Sequence, residues 1–161
     1  MKLYFVRHGR TEWNEEGRFQ GANGDSPLLP SSIQQIKKLG HALSSIRFDA
    51  VFSSDLKRAV DTTQLIMDQN QFPLHLKKSP ELREWSLGQL EGCKIDTIRA
   101  KYPQEMEAFR HDLSQFHHDL FDAESLSDTT KRTCDFVKSL KEKKFDTVLI
   151  VGHGANLTAS I

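Results

Sequence analysis

Two histidines stand near opposite ends of this chain, each beside glycine and each leaving a short apolar run. Arg7-His8-Gly9 follows Leu3-Tyr4-Phe5-Val6, and Gly152-His153-Gly154 follows Thr147-Val148-Leu149-Ile150-Val151. Neutral imidazole is a good nucleophile toward phosphorus, and capture of a phosphoryl group on histidine splits one difficult displacement into two easier ones. While one ring nitrogen attacks, the other must keep its proton and donate it to a fixed acceptor, which a nearby backbone carbonyl can supply. Arginine forks bind phosphate oxygens bidentately and neutralise transition-state charge, a task open to Arg7 and Arg58. A second histidine, His153, can donate to another phosphoryl oxygen. The leaving alkoxide needs a proton, and Glu84 is the carboxyl placed to supply it.

These groups act together only if the fold gathers them. Four β-type runs are legible: Leu3 to Val6, Ala50 to Ser53, Leu74 to Lys77 and Val148 to Val151. The first and last are nearly continuous in apolar residues, as in strands covered on both faces. Helical spacing joins Ile33, Ile36, Leu39, Leu43 and Ile46 after a Ser31-Ser32 start. It also joins Leu56, Ala59, Val60, Thr63 and Met67, with Ser54 or Asp55 as the cap, and Leu126, Cys134, Val137 and Leu140. Strands alternating with helices imply a three-layer α/β/α fold with a mostly parallel sheet and helices on both faces. Ligand sites in such sheets lie beyond the carboxyl ends of the strands. Arg7 and His8, Arg58, Glu84 and His153 each follow a different strand, so all five are expected at one sheet edge.

The stretch 88–125 differs. It contains Tyr102-Pro103, two candidate short helices and Phe109, Phe116 and Phe121, but no β run. It reads as a helical covering segment over the site, within a single domain spanning 1–161. The loop from Gly17 to Ser32 is rich in Gly, Ser, Asn and Pro and long for a plain connector, so binding residues are expected on it.

Lys+Arg and Asp+Glu each number 22, which leaves no basic excess for nucleic acid or a membrane surface. No apolar stretch approaches the ~20 residues of a membrane span, and with Met1-Lys2-Leu3 running directly into a strand no signal peptide is expected. Cys93 and Cys134 match no metal or redox spacing. A cytoplasmic protein is expected. His111, Asp112, His117, His118 and Asp119 lack a recognised ligand spacing and read as a solvated face rather than a metal site. Trp13 and Trp85 read as packing anchors, Arg83 and Glu81 as solvated charges.

The segment Leu3-Tyr4-Phe5-Val6-Arg7-His8-Gly9-Arg10-Thr11-Glu12-Trp13-Asn14, with Arg18-Phe19-Gln20-Gly21, resembles the opening of the histidine phosphatase superfamily, also called phosphoglycerate-mutase-like. The likeness continues through Asp25-Ser26-Pro27-Leu28, Ser53-Ser54-Asp55-Leu56-Lys57-Arg58-Ala59, the run from Leu82 to Gly92, and Val151-Gly152-His153-Gly154. The resemblance implies His8 as nucleophile, Arg7, Arg58 and His153 as phosphoryl clamp, and Glu84 as proton donor and later base. Asn14, Gln20 and Gly21 resemble substrate-binding positions, although Asn14 also reads as a turn cap. No metal or other cofactor is implied, and the expected substrate is a small phosphorylated metabolite.

Glu84-Trp85-Ser86-Leu87-Gly88-Gln89-Leu90-Glu91-Gly92 is more similar to the broad-specificity phosphatase branch than to the mutases, and the covering segment is short. Phosphomonoester hydrolysis is therefore expected, the alternatives being a mutase or a non-catalytic phospho-ligand binder. Leu29 and Ser32 depart from the family's usual Thr and Gly, which is expected to alter a loop or cap. The chain ends at Ile161, soon after His153, where the family continues with a helix and further sheet elements. Truncated C-terminal elements, with apolar surface exposed on the last strand, are expected from that departure.

Overall fold

The apolar runs form one parallel four-stranded sheet. The structure, a computed structural model, describes the backbone of residues 1–160 and side chains up to residue 157. The strands are β1 (Lys2–Arg7), β2 (Ala50–Ser54), β3 (Leu76–Ser79) and β4 (Thr147–Gly152). Their spatial order is β1-β4-β2-β3. The last strand thus lies between the first two, with Lys2 to Arg7 paired to Thr147 to Gly152 and Ala50 to Ser53 paired to Val148 to Val151.

Central placement explains the unbroken apolar run of β4. Val148, Leu149, Ile150 and Val151 are all fully buried, because successive side chains point to opposite faces and both faces are covered. Leu149 and Val151 pack with Ile36, Val51, Ala59 and Ile66. Val148 and Ile150 pack with Ala50, Leu82 and Leu140. The helices are α1 (Glu12–Glu15), α2 (Pro30–Ala42), α3 (Lys57–Met67), α4 (Ile95–Lys101), α5 (Pro103–His111), α6 (Leu126–Leu140) and α7 (Gly154–Ser160). With α2 and α3 on one face and α6 on the other, the layers are the expected α/β/α.

The boundaries differ from the sequence reading in instructive places. β3 starts at Leu76 and is an edge strand with Lys77 and Lys78 exposed, a composition that discourages pairing with another chain. Helix α2 starts at Pro30, whose fixed φ suits the first helical turn, and stops at Ala42, leaving Leu43 and Ile46 to the following turn. The expected local cap of α3 is absent. Leu56 occupies the cap position, and the Asp25 carboxylate accepts from the amides of Lys57 at 2.6 Å and Arg58 at 3.4 Å. Asp55 instead forms a bidentate pair with Arg83, both contacts at 2.7 Å, so Arg83 is not simply solvated.

The expectation of an uncovered last strand is also corrected. Helix α7 follows β4 directly and packs on α6 and β1, with Leu157 buried. The covering segment builds a core of its own from Leu90, Met106, Phe116 and Phe121, joined by Phe19, Trp85 and Leu87. Trp85 stacks on Phe109 at 5.5 Å and meets Phe116 edge-on, the anchoring role expected of it. Gly88 is obligatory at this junction. Its φ is +55°, and a Cβ there would stand 2.1 Å from the Phe121 carbonyl oxygen.

Candidate active site

Because β1 and β4 are adjacent and parallel, the residues just beyond their carboxyl ends are neighbours. The His8 amide donates to the Gly152 carbonyl at 2.9 Å, and the His8 and His153 rings lie 5.1 Å apart, centroid to centroid, inclined by 57°. His8 Nδ1 is 2.7 Å from the Gly9 carbonyl oxygen. A carbonyl only accepts, so Nδ1 carries the hydrogen and Nε2 keeps its lone pair. Burial, reinforced by the Arg58 charge, pushes His8 down from 6.5 to about 4 against the opposing Gly9 hydrogen bond. At neutral pH the ring is an uncharged imidazole with a free nitrogen.

His153 is fully buried, and neither ring nitrogen has a hydrogen-bond partner among the described residues. Burial, followed by the charge of Arg58, holds it well below the usual histidine range. Arg58 is equally deep at 1% exposure. Its Nη1 donates to the Gly24 carbonyl at 2.7 Å and the Asp25 carboxylate at 3.1 Å, and its Nη2 to the Gly21 carbonyl at 2.9 Å. The long loop is thus the bracket that orients this guanidinium, leaving Nε without a partner among the described residues. Desolvation pushes Arg58 below its ordinary value, and Asp25 opposes that shift. Buried unpaired polar groups are rare in native proteins and mark places where a ligand completes the bonding. Here such atoms are Arg58 Nε and both nitrogens of His153, whose ring neighbours His8 and feels, with His8, the Arg58 charge.

Glu84 is buried at the start of α7. Its Oε1 accepts from the amides of Trp85 at 3.0 Å and Asn156 at 2.8 Å, and its Oε2 from Ala155 at 3.2 Å. The helix following His153 therefore positions the carboxyl. Arg7 is exposed, with its guanidinium lying across Gly154, where a Cβ would come within 2.8 Å of Arg7 Cζ.

The three expected substrate contacts are placed differently. Asn14 lines the hollow in front of His8, yet its Oδ1 also accepts from the Thr11 amide at 3.1 Å in a capping box. Asn14 therefore caps the turn as expected while facing the hollow, and its NH₂ group has no partner among the described residues. Gln20 is not among the lining residues. Its Nε2 donates to Thr11 Oγ1 at 2.9 Å and its Oε1 accepts from Ser26 at 2.6 Å, so it braces the wall. Gly21 serves through its carbonyl on Arg58, and a Cβ there would lie 2.4 Å from the Trp85 carbonyl oxygen.

The hollow measures about 410 Å³ and is lined by Arg7, His8, Arg10 and Asn14. The covering segment contributes none of these residues. A larger hollow of about 630 Å³ lies at the opposite end of the sheet, among Arg47, Phe48, Asp49, Phe72 and Lys144. The Asp49 carboxylate there accepts from the amides of Asp146 and Thr147, and the lining residues include no histidine or cysteine. The smaller hollow is the one that His8 lines.

One important residue escaped the sequence reading. Arg132 on α6 donates to the carbonyls of Glu81, Arg83 and Glu84 at 2.8, 2.8 and 2.9 Å, and to both oxygens of Glu124. It ties the segment carrying Glu84 to the end of the covering segment. Thr133 and Asn156 add to the grip, Asn156 Nδ2 donating to the Arg83 carbonyl. A helical arginine has no local signature of such a role, since the carbonyls it holds lie 48 to 51 residues upstream.

The lowered His8 value carries a stability consequence. The unfolded chain takes up a proton near 6.5 and the folded ring only near 4, so stability is fully present above 6.5 and falls as pH drops toward 4. The span corresponds to roughly 3 kcal/mol at about 1.4 kcal/mol per unit. Urea unfolding of wild type and His8→Gln across that interval is expected to show a shallower acid loss in the variant. Superimposable profiles would remove His8 from the account.

Parallel sheet, buried histidine pair and bracketed arginine together define a class: a three-layer α/β protein whose site is built at the carboxyl edge around imidazole and guanidinium. The chain belongs to the histidine phosphatase superfamily, branch 1, whose sequence model matches residues 3–161. It is 32% identical to the putative phosphoserine phosphatase 2 of Hydrogenobacter thermophilus, over 99% of this chain and 76% of that protein. It is 31% identical to the 2,3-bisphosphoglycerate-dependent phosphoglycerate mutase of Cytophaga hutchinsonii, over 98% of this chain and 74% of that one. The crystal structure of the alpha-ribazole phosphatase from Shigella flexneri superposes with a TM-score of 0.83 at 28% identity, covering 98% of this chain and 76% of that chain. Relatives of both phosphatase and mutase type are therefore similar to it.

Proposed function

We propose that the protein is a cytoplasmic, metal-independent phosphomonoesterase acting on a small phosphorylated metabolite through phospho-His8. The observation that carries this reading is the set of unpartnered buried nitrogens of Arg58 and His153 beside the free Nε2 of His8. A phosphoryl group held there satisfies the orphaned donors, and Arg7 adds a charge from the exposed side. Nε2 of His8 attacks phosphorus, the P–O ester bond breaks, and the leaving alkoxide takes a proton from Glu84. Water then attacks the phosphoryl group, Glu84 takes its proton, the P–N bond breaks, and phosphate departs with His8 neutral again.

Hydrolysis is favoured over mutase transfer because, among the described residues, the hollow is lined only by those between Arg7 and Asn14. With no covering-segment side chain among them, water has access to a phospho-enzyme. The test uses a radiolabelled aryl phosphate in the presence of a chelator. Label attached to the protein is expected to survive alkali and be lost in acid, as a phosphorus–nitrogen bond requires, with free phosphate as the product. Acid-stable label, or isomerisation of a monophosphoglycerate without phosphate release, overturns the reading.

A further inference from the structure

Arg10 has no function in the chemistry above, yet it lines the hollow with Arg7, His8 and Asn14. Its side chain has no hydrogen bond or ion pair with any described residue, and the same is true of Arg7. Arg58, by contrast, is partly balanced by Asp25. A single phosphoryl group engages Arg7, Arg58 Nε and the histidines, and its charge is balanced by two guanidinium groups. Arg10 then remains as a third cation lining the hollow, two residues beyond the nucleophile. The Asn14 NH₂ group, held in place because its Oδ1 is fixed by Thr11, is a neutral donor lining the same hollow.

An unpaired arginine beside an uncommitted amide is a receptor for an anionic oxygen group, since a guanidinium fork binds carboxylate or phosphate with charge-assisted bonds. At about 410 Å³ the hollow suits a small molecule. We infer that Arg10, assisted by Asn14, is a specificity-determining residue, and that the substrate carries a second anionic group, a carboxylate or another phosphate, near the scissile phosphate. The inference rests on the phosphatase reading for the position of the scissile group. The second anion, seated on Arg10, draws the ester into line with His8 Nε2, so its contribution appears chiefly in kcat/KM.

The test compares esters sharing one small skeleton: glycerol 1-phosphate, whose remainder is neutral, 3-phosphoglycerate, which adds a carboxylate, and glycerol 1,3-bisphosphate, which adds a phosphate. Wild-type enzyme is expected to favour at least one anionic ester over the neutral one by about 10-fold or more, the size of a charge-assisted contact at a partly screened site. Arg10→Gln is expected to collapse that preference ratio, and added salt to weaken it. The ester preferred shows which anion the site takes. Equal wild-type rates on all three, or an unchanged ratio in Arg10→Gln, overturns the inference.

Calorimetric titration of the same three esters separates this failure from failure of the underlying reading. Binding that prefers the anionic esters and depends on Arg10, without phosphate release, overturns the hydrolase and leaves the second-anion site standing. Hydrolysis of all three without dependence on Arg10 does the reverse.

Discussion

His8→Ala is expected to lose phosphate release from any monoester by about 10⁴-fold or more in kcat, because the proposed nucleophile has no neighbour able to replace it. His153 is 5.1 Å away by ring centroid, but it lacks the Gly9 carbonyl that fixes the reactive tautomer of His8. Neither Arg58, bracketed by Gly21, Gly24 and Asp25, nor the carboxylate of Glu84, bonded to three amides, offers an uncharged nitrogen to phosphorus. The fold is expected to survive. The imidazole makes one hydrogen bond, to the carbonyl of the next residue, and its backbone bond to Gly152 is independent of the side chain. Circular dichroism and thermal unfolding check the fold, and a phosphate-release assay checks the rate. A variant within about tenfold of wild type would exclude covalent catalysis through His8.

Glu84→Gln is the second large effect, and its sign depends on the leaving group. An alkyl phosphate releases a strongly basic alkoxide that needs a proton, so loss of the carboxyl is expected to lower kcat by about 10² to 10⁴. A nitrophenyl phosphate leaves as a stable anion and is expected to lose far less. The substitution also perturbs local structure. A glutamine oxygen in place of Oε1 still accepts from Trp85 and Asn156, but its NH₂ group then opposes the Ala155 amide now 3.2 Å from Oε2. Loss of that accepted bond costs about 1–3 kcal/mol, visible as a lower unfolding midpoint. Equal losses on both classes of ester would mean that Glu84 positions the site without moving the proton.

Much of the architecture was legible because periodicity and burial are linked. A continuous apolar run such as Val148 to Val151 is tolerated only where both sheet faces are covered, and that is its position between β1 and β2. Convergence of Arg7, His8, Arg58, Glu84 and His153 followed from the rule that parallel strands present their carboxyl ends on one side. Gln20 and Gly21 were legible as residues of the site region but not in their manner of acting. A side-chain amide can face a ligand or brace a wall with the same local sequence, and only Thr11 and Ser26, brought close by the loop, select the latter.

The residue types and their order along the chain by themselves determined the fold class, the histidine pair and the sheet edge on which the chemistry gathers. These depend on short-range patterning: apolar period, glycine at strand exits and the alternation of strand with helix. The tertiary structure alone decided how the groups are held. Asp25 caps α3 and balances Arg58, Arg132 ties down the segment bearing Glu84 from about 50 residues away, and the covering segment packs its own core without lining the hollow. Those contacts join residues far apart in sequence through directional hydrogen bonds, whose geometry exists only once the layers have packed.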